Sequence, residues 1–454
     1  MIYFIFVSGL AMRKIDCQTR SDFLRGLQRH LYSISRKRKY YDPRENTKPD
    51  TANNPLLSYF FTMSHRQFDP RKKMKDGFIA VPKKFSLYDK PEEALAFIHK
   101  VTTLISKGDK KTVALDYSRT TEYCLGAECL LGLAVREARK NNQNINGSVL
   151  VNGIYPINAN HLEIIRDVGV VKEIGEAEDT EIEDHSEREP EQKQHIFIET
   201  SIGYEGPSAF AQDKKNKTSS NFAAYINSCL NDHGLELKDE ASRHLQSCMA
   251  EMLDNAERHC GENERPRWYV RGHVNNSLSK PTCELSIFNF GKTIPDTFKK
   301  LPKDHFSFNI QVKPYIEKHL KKRDMFWDGL ATIAALQGRV SCKNVTEEDS
   351  CGTGTIELLK LFQDMHDSLQ RFHQFDDVSP VMSILSGATH IKFDGKYKLI
   401  CKVTDSNGEK FTYPFNNVGL EKEPDRGYLK QMRQVYFPGV MINIRFPLVK
   451  TEKV

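Results

Sequence analysis

The stretch Glu251-Met-Leu-Asp-Asn-Ala-Glu-Arg-His259 lies inside a longer amphipathic run from about Asp239 to Cys260. The spacing predicts a helix on which Glu251, Asn255 and His259 share one face, because residues at i, i+4 and i+8 stack along a helix. A neighbouring apolar stripe predicts the packed face: Leu245, Cys248, Met252, Leu253 and Ala256. A carboxylate one turn before a carboxamide suits metal–nucleotide chemistry, because the amide oxygen can bind a hard divalent cation while the carboxylate orients water. An ordinary solvated helix face is the alternative.

Two downstream segments favour a metal–nucleotide site over a solvated helix face. After a strand predicted at Trp268 to Val274, the alternating apolar residues of Cys283 to Pro295 end in a polar turn that contains a glycine. Further on, Ser350 to Phe362 is a small-residue loop that runs into a helical pattern. Glycines let backbone amides approach an anion closely, and the start of a helix adds unpaired N–H groups. This loop is therefore a candidate phosphate site.

In this order the three segments resemble the GHKL ATPase superfamily, which includes type II topoisomerases, heat-shock chaperones, mismatch-repair ATPases and histidine kinases. Glu251 to His259 resembles its N-box, Glu-x-x-x-Asn-Ala. The resemblance implies ATP and Mg²⁺ as cofactors. It also implies that Asn255 binds the metal and that Glu251 is the catalytic base.

Two glycine boxes of the superfamily have counterparts here. Asn289-Phe-Gly-Lys-Thr-Ile294 resembles the Asp-x-Gly-x-Gly box that recognises adenine, with Asn289 in place of the aspartate and Thr293 in place of the second glycine. An asparagine oxygen can accept a hydrogen bond from an exocyclic amine, but it lacks the charge of a carboxylate. The resemblance implies two sets of nucleotide-binding residues: Asn289, Gly291 and Thr293 for the first box, and Gly352, Thr353, Gly354 and Thr355 for the second.

Between the boxes, Arg339 to Asp349 has the polar composition of an ATP lid, although a plain surface loop would look similar. Ser383 to Gly387 and Phe437 to Pro447 resemble the last strands of such a domain. The resemblance implies an α/β fold of the α+β two-layer sandwich (Bergerat) type over residues 201–454. Phe393 to Tyr397, with its Asp-Gly pair, predicts a hairpin turn without chemistry.

The first half of the chain has a different pattern. Strands are predicted at Thr112 to Ser118 and Gly147 to Tyr155, and helices at Leu125 to Lys140 and Asn158 to Asp167. This alternation indicates a small α/β domain over residues 76–175, similar to the STAS domains of bacterial regulators.

In STAS switches a phosphorylated serine commonly opens the first long helix, but the corresponding stretch, Glu122 to Ala127, has none. Phosphorylation of this domain by its neighbour is therefore not expected, and an interaction module is the better interpretation. The acidic run Glu173 to Glu191 indicates a linker, placed at residues 176–200, because it cannot bury enough apolar surface to fold by itself.

The N-terminal region, residues 1–75, is basic and is predicted to be partly flexible. Its cationic and tyrosine residues could bind nucleic acid, or they could form a solvated surface. They are Arg25, Arg29, Tyr32, Arg36, Lys37, Arg38, Lys39, Tyr40 and Tyr41. The net charge of only +6 over 454 residues makes general polyanion binding less favoured.

The apolar start, Met1 to Met12, is too short to span a bilayer, which takes about 20 residues, and translation could begin at Met12. We expect a cytoplasmic protein without a membrane partner. The ten cysteines have no paired C-x-x-C spacing and fall in apolar contexts, so neither disulfides nor structural zinc are predicted.

Three functions fit the resemblance. The first is a Mg-ATP-dependent conformational switch with slow hydrolysis, coupled to the regulatory N-terminal domain. The second is a serine/threonine kinase of the anti-sigma-factor type acting on a partner protein, and the third is a nucleotide-binding regulator without turnover. A histidine kinase is disfavoured, because Glu187 to Lys238 shows no long heptad pattern. A protein partner or self-association is expected from the resemblance.

Overall fold

The structure is a computed structural model. It describes residues 54–64, 78–108, 111–143, 149–178, 195–201, 208–259, 268–275, 281–349, 352, 354–372, 379–404 and 408–449. Its mixture of helices and sheets confirms the α/β class. The chain divides into two compact units. Unit 1 comprises Met1–Phe85, Glu93–Tyr123 and Ala127–Ile182, and unit 2 comprises Ser86–Glu92, Cys124–Gly126 and Glu183–Val454.

Unit 1 is built around a three-stranded parallel sheet in the order β1-β3-β5. In chain order its elements are α1 (Pro55–Thr62), β1 (Phe78–Ala80), β2 (Lys84–Phe85), α2 (Pro91–Lys107), β3 (Thr112–Asp116), β4 (Glu122–Tyr123), α3 (Leu125–Gln143), β5 (Leu150–Ile154), α4 (Ala159–Asp167) and α5 (Val170–Glu178). The first two residues of α2 and of α3 are counted with unit 2. The predicted strands and helices of this half are confirmed to within a few residues at each end. Asn158 caps α4, because its side chain accepts a hydrogen bond from the backbone N–H of His161.

Two buried polar side chains of helix α3, Glu128 and Arg136, have partners inside unit 1. Glu128 accepts a hydrogen bond from the hydroxyl of Tyr117 at 3.0 Å and contacts His161 Nε2 at 2.7 Å. Arg136 donates to Glu173 on α5 at 2.5 Å. The acidic run was therefore predicted wrongly at its start, since Glu173 is a helical residue that a buried cation neutralises. Residues 179–194 of that run lie outside the described residues.

Unit 2 contains a seven-stranded sheet in the order β13-β10-β9-β14-β8-β7-β6, in which every neighbouring pair is antiparallel. Its strands are β6 (Ile196–Thr200), β7 (Trp268–Asn275), β8 (Thr282–Phe290), β9 (Val381–Gly387), β10 (Thr389–Phe393), β13 (Leu429–Gln431) and β14 (Phe437–Pro447). A separate pair is formed by β11 (Ile400–Thr404) and β12 (Gly408–Thr412). The strands predicted at Trp268, Ser383 and Phe437 are confirmed, whereas β6 lies where a linker was expected.

The helices of unit 2 are α6 (Ser208–Asn231), α7 (Asp239–Arg258), α8 (Ile294–Lys299), a π-helical turn (Ser307–Val312), α9 (Lys313–His319), α10 (Trp327–Ala335) and α11 (Gly354–Phe372). Helix α6 was not predicted. Among its residues from Lys214 onward, whose burial the structure describes, the buried apolar side chains begin at Phe222. Phe393 to Tyr397 was wrongly predicted as a hairpin turn. Strand β10 ends at Phe393, but it pairs with β9 and β13, while β11 pairs with β12.

Helix α7 packs as the sequence predicts. Its buried side chains are Cys248, Met249, Met252, Leu253 and Ala256, and Leu245 is partly buried against the same core. Asp239 in the first turn and Arg258 in the last complement the helix dipole. The apolar face of α7 therefore lies on β7 and β8, and the next face is free to carry polar groups.

Lys215 on α6 holds the outer side of α7. It forms ion pairs with Asp254 and with Glu257, the second at 2.5 Å. Burial alone would lower the pKa of Lys215, but hydrogen bonds and charges from the two carboxylates outweigh it and raise that pKa. These ion pairs add to the apolar packing that holds α7 in place beside Asn255.

Replacing Lys215 by Met should destabilise unit 2, because Asp254 and Glu257 lose a buried cation. We expect a loss of about 1–3 kcal/mol in the free energy of unfolding. Urea unfolding followed by the fluorescence of the buried Trp268 measures it. Lys214→Met is the matched control, since the side chain of Lys214 is 30% exposed against 8% for Lys215. We expect less than about 1 kcal/mol for this more exposed pair with Glu199. Equal losses would contradict the role given to Lys215.

Candidate functional site

A cavity of about 380 Å³ opens between the sheet of unit 2 and the helices that cover it. Six of the nine residues that the sequence assigned to a nucleotide site line this cavity: Glu251, Asn255, Asn289, Gly352, Gly354 and Thr355. They come from three segments spread over about a hundred positions of the chain. The volume lies in the range of about 300–1,000 Å³ that small-molecule sites occupy.

The floor of the cavity is one face of the sheet. Its side chains come from alternate positions of three neighbouring strands, β8, β14 and β9, because successive strand residues point to opposite faces. They are Ile287, Asn289, Val440, Ile442 and Ile384. Asn289 is the polar member of this set and is only 2% exposed. Its Nδ2 has no hydrogen-bond partner among the described residues.

Helix α7 forms one wall. Glu251, Asn255 and His259 all line the cavity, so the predicted shared face is confirmed. Met252 and Ala256 lie beside them and connect this wall to the apolar core. A carboxylate and a carboxamide one helical turn apart thus face the same space.

The N-terminus of α11 forms the next wall. Gly354 is its first residue, and it lies so close to α7 that a side-chain carbon there would be 2.5 Å from Glu251 Oε2. Gly352 has φ +101°, and a side chain on it would collide with the Val340 carbonyl. Both positions therefore require glycine. Gly354 and Thr355, in the first turn of α11, line the cavity, and the first N–H groups of a helix have no carbonyl partner within the helix; Thr353 is outside the described residues.

Gly291 and Thr293 were also predicted to contact a nucleotide, but the residue between them, Lys292, lines the cavity instead. Gly291 turns the chain at φ +146°, and its N–H donates to the Pro438 carbonyl. Thr293 is buried and caps α8, with its Oγ1 accepting from the N–H of Asp296 and donating to its carboxylate at 2.6 Å. The Thr-x-x-Asp spacing with a proline after the cap could have indicated this role.

The predicted lid contributes the wall from Val340 to Lys343. Its first residue, Arg339, has φ +63°, and the Arg339 carbonyl accepts hydrogen bonds from Gln311 and Asn344, each at 2.9 Å. Gln311 belongs to the π-helical turn, a rare geometry that is frequent at functional sites. The segment thus lies against the cavity through specific polar contacts.

Positive charge collects at the end of the cavity near His259. Burial lowers the pKa of His259 to about 4, and nearby cationic side chains add to the shift. These are Lys343, Lys292 and Arg258, all of which also line the cavity. Sequence reasoning missed them, because one lies in the lid, one in a glycine turn and one at the end of a helix. Their convergence makes this part of the cavity suited to an anion.

No group of three or more His, Cys, Asp or Glu side chains suited to holding a metal occurs in the part of the chain that the structure describes. Mg²⁺ in nucleotide sites needs only one or two protein oxygens, since phosphates and water supply the rest. Asn255, with Glu251 one turn away, fits that requirement. Five of the described cysteines are buried, as predicted, while Cys342, in the predicted lid segment, is partly exposed and Cys401 is exposed.

Comparisons of the chain with protein-family models, with curated proteins and with solved structures found no match. The function is therefore inferred from the residues that line this cavity and from their chemistry.

The shifted pKa of His259 predicts a pH effect on stability. The unfolded chain protonates a histidine below about pH 6.5, whereas folded His259 stays neutral down to about pH 4. Protonation thus favours the unfolded state, so His259 reduces stability as the pH falls from about 6.5 towards 4 and has no such effect above that window. We expect His259→Gln to remove a penalty of about 2 kcal/mol at pH 5.

Urea unfolding of both proteins at pH 7 and pH 5, followed by tryptophan fluorescence, tests this expectation. The exposed His233 of unit 2 gives a control, His233→Gln, which should keep the pH dependence of the wild type. If His259→Gln and wild type lost equal stability between the two pH values, the proposed burial of a neutral histidine would be wrong.

Proposed function

We propose that unit 2 binds Mg-ATP in this cavity, hydrolyses it slowly and acts as a conformational switch of the GHKL type. The observation that carries the proposal is that Glu251, Asn255, Asn289 and the glycine loop at Gly352 and Gly354 line one cavity. The resemblance to the GHKL superfamily assigns these residues to a nucleotide and its metal, and they come from separate segments of the sequence. An ordinary solvated helix face gives no reason for this convergence.

The two ends of the cavity suit the two ends of a nucleotide. The sheet floor offers apolar side chains around one buried carboxamide, Asn289, which suits a flat heterocycle with polar edges. The α11 N-terminus offers backbone N–H groups and a positive dipole end, which suit phosphates. Lys292 and Lys343 add positive charge along the wall. A purine nucleotide matches this distribution better than a wholly apolar ligand.

Mg²⁺, when bound with the nucleotide, would neutralise phosphate charge and would be held on the protein side by the amide oxygen of Asn255. Glu251 lies one turn away, against Gly354 at the phosphate end. There its carboxylate can accept a proton from a water molecule whose oxygen bonds to the γ-phosphorus. The bond from that phosphorus to the β–γ bridging oxygen breaks, and ADP and phosphate leave.

The N-terminal α/β unit is proposed as the regulatory module to which nucleotide binding is coupled. The partner of the protein would be another protein or a second copy of the chain. The basic residues that could bind nucleic acid, Arg25 to Tyr41, lie outside the described residues. Among the helices that the structure describes, none is both long enough and apolar enough to cross a membrane.

Two substitutions on α7 separate binding from turnover. Asn255→Ala should weaken the affinity for Mg-ATP by about tenfold or more, because the metal loses its protein ligand. Glu251→Gln should keep nucleotide affinity but slow phosphate release by about 10²–10⁴-fold, because the general base is lost. Calorimetry gives the affinities, and a continuous phosphate assay gives the rates.

Glu240→Gln is the matched control, because it makes the same change at an exposed position in the first turn of α7. It should behave as the wild type does. Transfer of label from ATP to protein, instead of to free phosphate, would replace the ATPase with the kinase alternative. Failure of the wild type to bind ATP or ADP in the presence of Mg²⁺ would refute the proposal altogether.

A further inference from the structure

We propose that Asn289 lets this cavity bind 6-oxopurine nucleotides, such as those of hypoxanthine, as well as adenine nucleotides. The inference rests on the proposed function and specifies its substrate class. It starts from one observation: Asn289 is buried at the cavity floor, and its Nδ2 has no hydrogen-bond partner among the described residues. A buried amide donor without an acceptor is unfavourable, and such groups are rare in folded proteins.

The surroundings of Asn289 do not supply the missing acceptor. The neighbouring floor side chains, Ile287, Val440 and Ile442, are aliphatic. A ligand seated against Asn289 can supply it. The ligand edge that satisfies a carboxamide fully has one donor and one acceptor side by side, because the carboxamide itself presents an oxygen acceptor beside a nitrogen donor.

Both classes of purine present such an edge. Adenine carries an exocyclic amine donor at position 6 next to the N1 acceptor, and hypoxanthine carries an oxygen acceptor at position 6 next to an N1–H donor. The two edges have opposite order. Turning the carboxamide by about 180° exchanges its oxygen and nitrogen, which differ little in shape, so one Asn289 side chain can match either edge. A carboxylate at this position has no donor and cannot match the oxygen at position 6.

Asn443 on β14 of the same sheet has hydrogen-bond partners for both its amide oxygen and its amide nitrogen. Its Oδ1 accepts a hydrogen bond from Ser286 at 2.9 Å, and its Nδ2 donates to Ser383 at 3.4 Å. These two bonds fix the orientation of that amide, which lies outside the cavity lining. The amide nitrogen of Asn289 has no such bond to the described residues, so a turn of its amide breaks none there.

Calorimetric titration with the Mg²⁺ complexes of ATP and ITP tests the proposal, because the two nucleotides differ only at position 6 and N1 of the base. The wild type should bind both with dissociation constants within about tenfold of each other. In Asn289→Asp the carboxylate can still accept a hydrogen bond from the 6-amino group of adenine, but it faces the oxygen at position 6 of hypoxanthine. The variant should therefore discriminate against ITP by a further factor of about 10–100. Asn443→Asp, the same change outside the cavity, should keep the wild-type ratio.

Discrimination against ITP of about a hundredfold by the wild type, or an unchanged ratio in Asn289→Asp, would overturn the inference while ATP binding stood. Absence of binding of both nucleotides to the wild type would instead contradict the proposed function. If Asn289→Asp does not fold, the affinity of the wild type for 1-deaza-ATP tests the proposal. It should bind about tenfold or more weakly than ATP, since Nδ2 loses its acceptor at N1, and equal affinity would overturn the proposal.

Discussion

The packing of α7 on the sheet of unit 2 is the contact on which the candidate site depends. Its apolar face, from Cys248 to Ala256, is buried against the strands, and Lys215 pairs with two carboxylates on its outer side. These contacts hold the helix in one orientation about its axis, and in that orientation Glu251 and Asn255 line the cavity. A rotation of about one residue, or 100°, would turn both groups out of it.

The second constraint is the close approach of the loop and helix that begin at Gly352. A side chain at Gly354 would overlap Glu251, and one at Gly352 would overlap the backbone of the lid. Small residues therefore let three segments meet that otherwise could not: α7, the start of α11 and the lid. The place where they meet is also where backbone N–H groups and the Glu251 carboxylate come together, so packing and chemistry depend on the same two glycines.

Features of the site that depend on local sequence pattern could be predicted. The face shared by Glu251, Asn255 and His259 follows from helical periodicity, and the start of α11 follows from a small-residue loop before a helical pattern. The predictions were wrong where the structure depends on contacts between segments that are far apart in the sequence. Phe393 to Tyr397 has the local signal of a hairpin, but strand pairing over the whole sheet gives β10 other partners. Glu173 looked like part of an acidic linker because its partner, Arg136, lies 37 positions away.

The cations around the cavity were also not predicted, because they come from segments that are far apart in the sequence. Their positions are relevant to the proposed switch. Lys343 lies in the predicted lid, whereas Lys292 follows the turn at Gly291, and the backbone N–H of Lys292 donates to the His259 carbonyl at 2.8 Å. Both charges lower the pKa of His259, so both segments act electrostatically on the same residue of α7. An anion bound between them would be attracted to both lysines and would offset their mutual repulsion, which favours the lid position seen here. A polyanionic nucleotide can therefore bias the lid in a way that a neutral ligand cannot, because only a differential interaction shifts a conformational equilibrium.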